Sequence, residues 1–335
     1  MSEDTPPPFN LRHRLQDLLF RGMIGGLLCL PYRIRVPLCG WVVSRVIAPL
    51  AGYRRRIRDN LAMILPDLPQ DEVRRITRAV PDNVGRTLIE IYSGPEFIAR
   101  AASLPLQGEG VAALAEAHAA KRPVILVTAH FGNYDASRAA LIARGYPVGA
   151  LYMEMANKSF NAHYVQAISR IGTPLFPRGR KGLADMVRFL RGGGMLGLLV
   201  DQHMRSGALL GFFGHEALTA LSAAEMALKY DALVVPTYAV RQPDGLSFEV
   251  IVEAPIPHGD PATMTQALND SLEALVRRHL DQWFWIHKRW KGGGGPIAAA
   301  GSGARREEAG PGEAAPRKAT MDAERDKSPE VPGAP

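Results

Sequence analysis

The stretch from Pro123 to Arg144, PVILVTAHFGNYDASRAALIAR, limits the fold more than any other part of the chain. Val124, Ile125, Leu126 and Val127 make an unbroken, largely β-branched apolar run, the pattern of a strand covered on both faces. Phe131-Gly132-Asn133 interrupts it, and from Asp135 onward Ala139, Ala140, Leu141 and Ile142 follow a helical rhythm. A buried strand, a turn and a helix in succession form the repeating unit of α/β sheets. Ligands of such sheets collect at the carboxyl ends of the strands, which is where His130 stands. An imidazole there, with the Asp135 carboxylate five residues on, can act as a general base with an orienting partner. The same two residues also fit a partly buried histidine bonded to a backbone carbonyl and a helix N-cap, a position that favours Asp.

The chain around this stretch extends the pattern. From about Leu104, apolar runs at Pro105–Gln107, Pro147–Tyr152, Thr173–Phe176, Met195–Val200, Leu233–Val240 and Leu246–Val252 read as strands. Helical patterns at Gly110–Ala120, Ser159–Ile171, Leu183–Arg191, Ser222–Tyr230 and Ala262–Leu280 alternate with them, and residues 202 to 220 read as a loop. The expected fold class is therefore α/β, a three-layer sandwich with a mostly parallel central sheet. At 335 residues the chain can bury a full core.

The first hundred residues differ in character. Leu11 to Gly52 is apolar but punctuated by Arg12, Arg14, Arg21, Arg33, Arg35 and Arg45. Its longest uncharged runs, Gly22–Tyr32 and Val36–Ser44, fall short of the roughly 20 apolar residues of a spanning helix. Basic, apolar and too short to span describes an interfacial anchor; a helical subdomain with solvated arginines, or a tilted or re-entrant segment, fits the same residues. Tyr53–Leu65 is a basic helix ended by Pro66. Leu68–Arg100 is helical after Pro69, with a kink or division expected at Pro81. The expected organisation is a disordered 1–10, a helical membrane-associated region over 11–103, an α/β domain over 104–291 and a disordered tail over 292–335, which has almost no large apolar residue.

The formal charge of +7 suits an anionic partner: phospholipid headgroups, an acidic carrier protein or nucleic acid. Aromatics make up only 7% and do not alternate with the basic residues, which argues against nucleic acid. Cys29 and Cys39 form no zinc-like pair or disulfide framework and read as small buried hydrophobes.

Two further places put charged side chains just beyond an apolar strand. Phe176-Pro177-Arg178-Gly179-Arg180-Lys181-Gly182 is a basic turn leading into a helix, suited to a phosphate or simply solvated. Asp201-Gln202-His203 follows Met195–Val200, and its carboxylate can hold an arginine or a substrate hydroxyl, or cap a turn. His130, His163, Asp201, His203 and His215 lack the spacing of a metal site. A Gly-x-Ser-x-Gly elbow, a Walker lysine loop and a dinucleotide fingerprint are absent, so no metal and no cofactor is expected. A base without its own nucleophile would activate a hydroxyl brought by the substrate, as in acyl transfer from a thioester. The oxyanion would then need donors, most simply the backbone amides of Phe131 to Asn133.

These residues, in this order, resemble the bacterial lipid A late acyltransferases of the lauroyl/myristoyl type, relatives of the glycerolipid acyltransferases with an H-x-x-x-x-D/E motif. The resemblance runs from about Arg54 to Lys291. It includes Asn83-Val84-Gly85-Arg86-Thr87, His130 to Asp135, Arg170-Ile171-Gly172, Asp201-Gln202, Phe212-Phe213-Gly214 with Ala217 and Thr219, and the closing Trp285 to Lys291. It implies His130 as general base and Asp135 as its orienting acid, with Arg170, Arg178, Asp201, Gln202 and Asn133 binding substrate. It also implies an acyl carrier protein or coenzyme A donor, an anionic lipid acceptor, and a place at the cytoplasmic face of the inner membrane. Asn133-Tyr134-Asp135 stands where many lipid A members have Asn-Trp-Glu, and Ala220-Leu221-Ser222 replaces the usual small turn. Related enzymes acylate lysophospholipids, ornithine lipids or mannosides, and a non-catalytic membrane-binding relative would keep the basic face without needing His130.

Overall fold

The computed structural model describes residues 11–155 and 157–291. The two ends expected to be disordered, 1–10 and 292–335, lie outside the described residues. The chain begins with helices α1 (Leu11–Leu28) and α2 (Tyr32–Val42), a π-helical turn (Val43–Ile47), α3 (Ala48–Leu50) and α4 (Tyr53–Ile64). Two more follow, α5 (Gln70–Tyr92) and α6 (Pro95–Ala102). Of the kink or division expected at Pro81, the division does not occur: helix α5 runs through it without a break. Pro81 is buried, and Gly85 on the next turn lies so close to α2 that a Cβ would stand 2.6 Å from the Cys39 carbonyl. Packing against α2 thus outweighs the hydrogen bond that proline removes. The actual division comes at Ser93-Gly94, where Gly94 takes φ +52°.

The second part alternates as expected: β1 (Leu106–Gln107), α7 (Gly110–Ala119), β2 (Val124–Thr128), α8 (Tyr134–Ile142), β3 (Val148–Tyr152), α9 (Lys158–Ile171), β4 (Leu175–Pro177), α10 (Arg180–Arg191) and β5 (Met195–Leu199). Then come β6 (Ala208–Phe212), β7 (His215–Thr219), α11 (Ser222–Tyr230), β8 (Leu233–Arg241), β9 (Phe248–Val252) and α12 (Pro261–Arg278). Seven strands form one sheet in the order β1-β9-β8-β2-β5-β3-β4. All neighbours are parallel except β8 and β9, which the Pro243-Asp244-Gly245 turn joins as a hairpin. Every residue of β2 is buried, as the uninterrupted apolar run demands of a strand with helices on both faces.

The expected loop over 202–220 holds the hairpin β6–β7. Its two central residues, Phe213 (φ 55°) and Gly214 (φ 72°), both lie in the left-handed region that tight hairpins require. A phenylalanine seldom adopts it, which hides the turn from the sequence. The surroundings hold Phe213 there. Its backbone N–H donates to the Glu273 carboxylate, and the Arg277 guanidinium sits 4.6 Å from its ring centroid.

The N-terminal helices share cores with the sheet. Ile24, Val36 and Cys39 pack in one cluster with Ala136, Ile168 and Phe248, while Ile57, Leu61 and Ile76 join Phe131, Tyr238 and the tryptophans of the C-terminal segment in another. Their opposite side is apolar and outward: Ile34, Leu38, Trp41, Val46 and Leu50 are exposed. No single helix among the described residues is long and apolar enough to cross a membrane. Tyr32–Leu50 and Tyr53–Ile64 have sufficient length and composition only as a pair bent by 85°.

Candidate active site

The register of β2 on β5 builds the site. Thr128 pairs with Leu199 at the carboxyl ends of these parallel neighbours. Two residues beyond each lie His130 and Asp201, which the register brings side by side. Asp201 Oδ1 accepts from His130 Nδ1 at 2.8 Å, and Oδ2 accepts from the His130 backbone N–H at 2.9 Å and from Trp283 Nε1 at 3.0 Å. Both side chains are buried. Burial alone would raise the Asp201 carboxyl, but the charge and hydrogen bonds of His130, with the nearby His287 ring, hold it well below the usual carboxylate range. An ionised carboxylate can only accept, so Nδ1 carries the proton and Nε2 is the basic nitrogen.

Asp135, the partner expected from the motif spacing, lies elsewhere. Its Oδ1 accepts from Arg138 Nε at 2.7 Å, and both residues are buried. Arg138 then donates from Nη1 to the Gly172 carbonyl at 3.1 Å and from Nη2 to the Ile168 carbonyl at 3.0 Å. Asp135 sits on the first turn of α8, where the helix directs it toward the end of α9 rather than along the strand toward the histidine ring. The carboxylate on that ring is Asp201, 71 residues downstream.

The turn between His130 and α8 is clamped from α5. Asn83 Nδ2 and Thr87 Oγ1 both donate to the Gly132 carbonyl, at 2.9 and 3.0 Å. Gly132 takes φ +53°, and a Cβ there would stand 1.9 Å from the Ala239 carbonyl, so only glycine fits. Asn133 caps α8 by accepting from the Asp135 N–H, and its Nδ2 donates to Glu90 Oε2 at 2.8 Å. Glu90 is fully buried and bound twice by Arg241, whose Nε donates to Asn83 Oδ1 at 2.7 Å. Asn133, expected to bind substrate, is fully buried in this network. Neither Glu90 nor Arg241 was distinguished in the sequence, because the ion pair joins residues 151 apart.

The amides expected to hold an oxyanion are also engaged. Phe131 N–H donates to the Ala129 carbonyl, Gly132 N–H to that of Gln282 and Asn133 N–H to that of Ala239. Gln202 stands at the ring instead, its Nε2 3.4 Å from His130 Nε2 and 3.3 Å from His287 Nε2. Burial, and then the neighbouring His130, push the His287 imidazole down to about 3, so it is neutral at pH 7. The segment 282–290 closes this side of the site. Trp283 reaches Asp201, the Phe284 N–H donates to the His130 carbonyl, and Asn60 Nδ2 donates to the Trp285 and His287 carbonyls. The contacts of Trp283 and His287 were not legible either; the dense run of aromatics, and for His287 its place in the closing Trp285–Lys291 motif, were the available signals.

Beside His130 lies a narrow apolar cleft, walled by Val84, Leu88 and Ile91 of α5, by Tyr134 and Tyr164, and by Phe284. Burial pushes both phenols above their usual range, so the wall carries no charge. The cleft is open on one side, and the space in it for water is small, about 30 Å³, roughly that of one molecule. Two expected binding residues lie outside its lining. Arg170 is exposed on the last turn of α9, and neither it nor Arg178 lines the cleft. Arg178 is exposed too, with Nη2 3.7 Å from the Met204 sulfur. In the Arg170-Ile171-Gly172 step, the Gly172 carbonyl accepts from Arg138 Nη1, which ties the end of α9 to α8.

A family model described as bacterial lipid A biosynthesis acyltransferase matches residues 9–292. Among curated proteins, the chain is 24% identical over 277 residues to a lipid A biosynthesis acyltransferase of Haemophilus influenzae, covering 79% of this chain and 86% of that one. It is 24% identical over 241 residues to the lipid A biosynthesis lauroyltransferase of Escherichia coli, covering 70% and 78%. A phosphatidylinositol mannoside acyltransferase of Mycobacterium tuberculosis is 23% identical over 245 residues, covering 71% and 78%.

Proposed function

Since the chain belongs to the bacterial lipid A biosynthesis acyltransferase family, we propose that it moves a fatty acyl group from a thioester, on acyl carrier protein or coenzyme A, to a hydroxyl of a lipid A precursor. The observation that carries this reading is the His130–Asp201 pair at the carboxyl end of the central strands, bordering an apolar cleft. His130 Nε2 takes the proton of the acceptor hydroxyl as its oxygen attacks the thioester carbonyl carbon. Asp201 fixes the tautomer and stabilises the imidazolium that results. The tetrahedral intermediate collapses with cleavage of the C–S bond, and His130 returns the proton to the departing sulfur. Gln202, displaced from Nε2 by the incoming hydroxyl, is the side-chain donor for the oxyanion.

The acyl chain enters the cleft between α5 and Phe284, which has to widen from its one-water volume to admit it. The enzyme works at the cytoplasmic face of the inner membrane, and the exposed Ile34, Leu38 and Trp41 of α2 enter the lipid. Asp135 and Asn133 hold the scaffold, while Arg170 and Arg178, outside the cleft, meet the anionic headgroup of the acceptor. Mass spectrometry of lipids from a deletion strain tests the acceptor. The expected result is a lipid A lacking one secondary acyl chain. Intact lipid A with an altered phospholipid, ornithine lipid or mannolipid would reassign it.

A further inference from the structure

Arg289, near the end of the closing aromatic segment, is 1% exposed and makes no ion pair among the described residues. Burial pulls its guanidinium down to about 10, and the Asp201 carboxylate acts the other way, so the side chain is still a cation at pH 7. A charge buried without a paired counter-ion is costly. What the guanidinium makes in return is two hydrogen bonds from one rigid fork. Nη1 donates to the Leu218 carbonyl at 2.7 Å, and Nη2 donates to Thr219 Oγ1 at 2.6 Å. Both acceptors belong to the last residues of β7. Lysine, a single ammonium on a flexible stem, cannot span two such acceptors as a planar fork.

The strand end that Arg289 grips is also the seat of the loop after β5. The Leu218 carbonyl accepts from the Met204 N–H at 3.2 Å, the one backbone hydrogen bond that residues 202–206 make to another element among the described residues. The loop closes on itself where the Gly207 N–H donates to the Met204 carbonyl at 2.9 Å. It lies so near β7 that a Cβ on Gly207 would stand 2.3 Å from the Thr219 carbonyl. Gln202 opens this loop, with its Nε2 between the His130 and His287 rings. Arg178, the other cation at Met204, reaches only the thioether sulfur, a weak acceptor. The closing segment thus supports three parts of the site. Trp283 holds Asp201, the Phe284 N–H holds the His130 carbonyl, and Arg289 holds the strand end under the Gln202 loop.

We propose that Arg289 is a positioning residue of the transfer step, which acts through Gln202 by seating the loop that carries it. The proposal rests on the acyl transfer described above, in which Gln202 meets the oxyanion. The test is hydrogen exchange read by mass spectrometry on the full-length protein in an uncharged detergent, alongside steady-state acyl transfer. Arg289→Lys keeps the charge and loses the fork. Amide exchange over residues 202–207 should then rise about tenfold while β2 and β5 keep their protection. Turnover should fall roughly tenfold with KM unchanged, because the oxyanion donor is misplaced. Gln202→Ala alone should cost roughly 10²-fold in turnover. Adding Arg289→Lys to it should cost less than about twofold more, because the two residues act as one unit. A merely structural arginine would add its full loss in either background. Thr219→Val removes one acceptor of the fork, leaves the buried charge in place, and should repeat the pattern at about threefold; it carries the test if Arg289→Lys folds poorly. Unchanged exchange over 202–207 in both variants, additive losses of turnover, or a raised KM at unchanged turnover would each overturn the proposal. The exchange readout uses no acyl donor, so it decides whether Arg289 seats the loop even where the acyl-transfer reading fails.

Discussion

Two buried aspartates stand on opposite sides of the turn after β2, and they do different work. Asp201 continues β5 and is wired to the ring of His130 and to Trp283. Asp135 opens α8 and is wired to Arg138, which in turn holds the end of α9. Both carboxylates are buried and both meet a nitrogen base at hydrogen-bond distance. The difference lies in what that base can do: an imidazole exchanges protons near neutral pH, whereas a guanidinium does not. The same residue type therefore partners a ring that can exchange a proton on one side of the turn and a fixed cation on the other.

The comparison breaks most completely if His130 is dispensable. His130→Ala should lower the acyl-transfer rate by roughly 10²–10⁴-fold with the fold intact, measured with thioester donor and purified lipid acceptor; a folded variant of near-normal rate would remove the base from the mechanism. Asp201→Asn should cost about 10²-fold in turnover, because an amide no longer fixes the tautomer or stabilises the imidazolium. Asp135→Asn should divide the two roles. It leaves Arg138 buried without its counter-charge, so denaturant unfolding should read a loss of about 3 kcal/mol, while turnover of the folded protein changes less than tenfold. If Asp135→Asn instead lowered turnover as far as Asp201→Asn without loss of stability, the assignments would be reversed.

A last effect, on stability and not on turnover, is in acid. His287 titrates near 6.5 in the unfolded chain and is pushed down to about 3 in the native one. Between those values the unfolded chain binds the proton and the folded chain does not, so stability is full above about pH 6.5 and falls as pH drops toward 3. Thermal melts from pH 7 to pH 4 should show this decline, and His287→Asn should flatten it. An unchanged slope in that variant would mean that other groups set the acid limb.

How far the sequence revealed this arrangement depends on the range over which each feature is decided. The buried strand ending at His130, the alternation after Leu104 and the α/β class are written in local patterns of apolar residues, and the structure agrees. The identity of the histidine's partner is not local. Asp135 is near in sequence, but α8 turns it away, while Asp201 arrives only because β5 lies beside β2 in the register that pairs Leu199 with Thr128. A comparison of strand ends would have offered Asp201, since both residues stand just beyond an apolar strand. The β6–β7 hairpin was hidden by a phenylalanine at positive φ, and the unbroken α5 by a proline whose cost is outweighed by close packing. Glu90 and Arg241 form an ion pair that no local rule connects.

The placement of the tryptophans gives the molecule two separate optical reporters. Trp283, Trp285 and Trp290 are buried around Phe212 and Asp201, and their emission registers whether the C-terminal segment is seated on the site. Trp41 alone faces outward, 54% exposed on α2. Transfer of an indole from water to an apolar phase shifts its emission to shorter wavelength. A blue shift on adding vesicles, lost in Trp41→Phe, would therefore report lipid contact at α2 while the buried three hold their spectrum. One spectrum would follow surface attachment and site integrity as independent events.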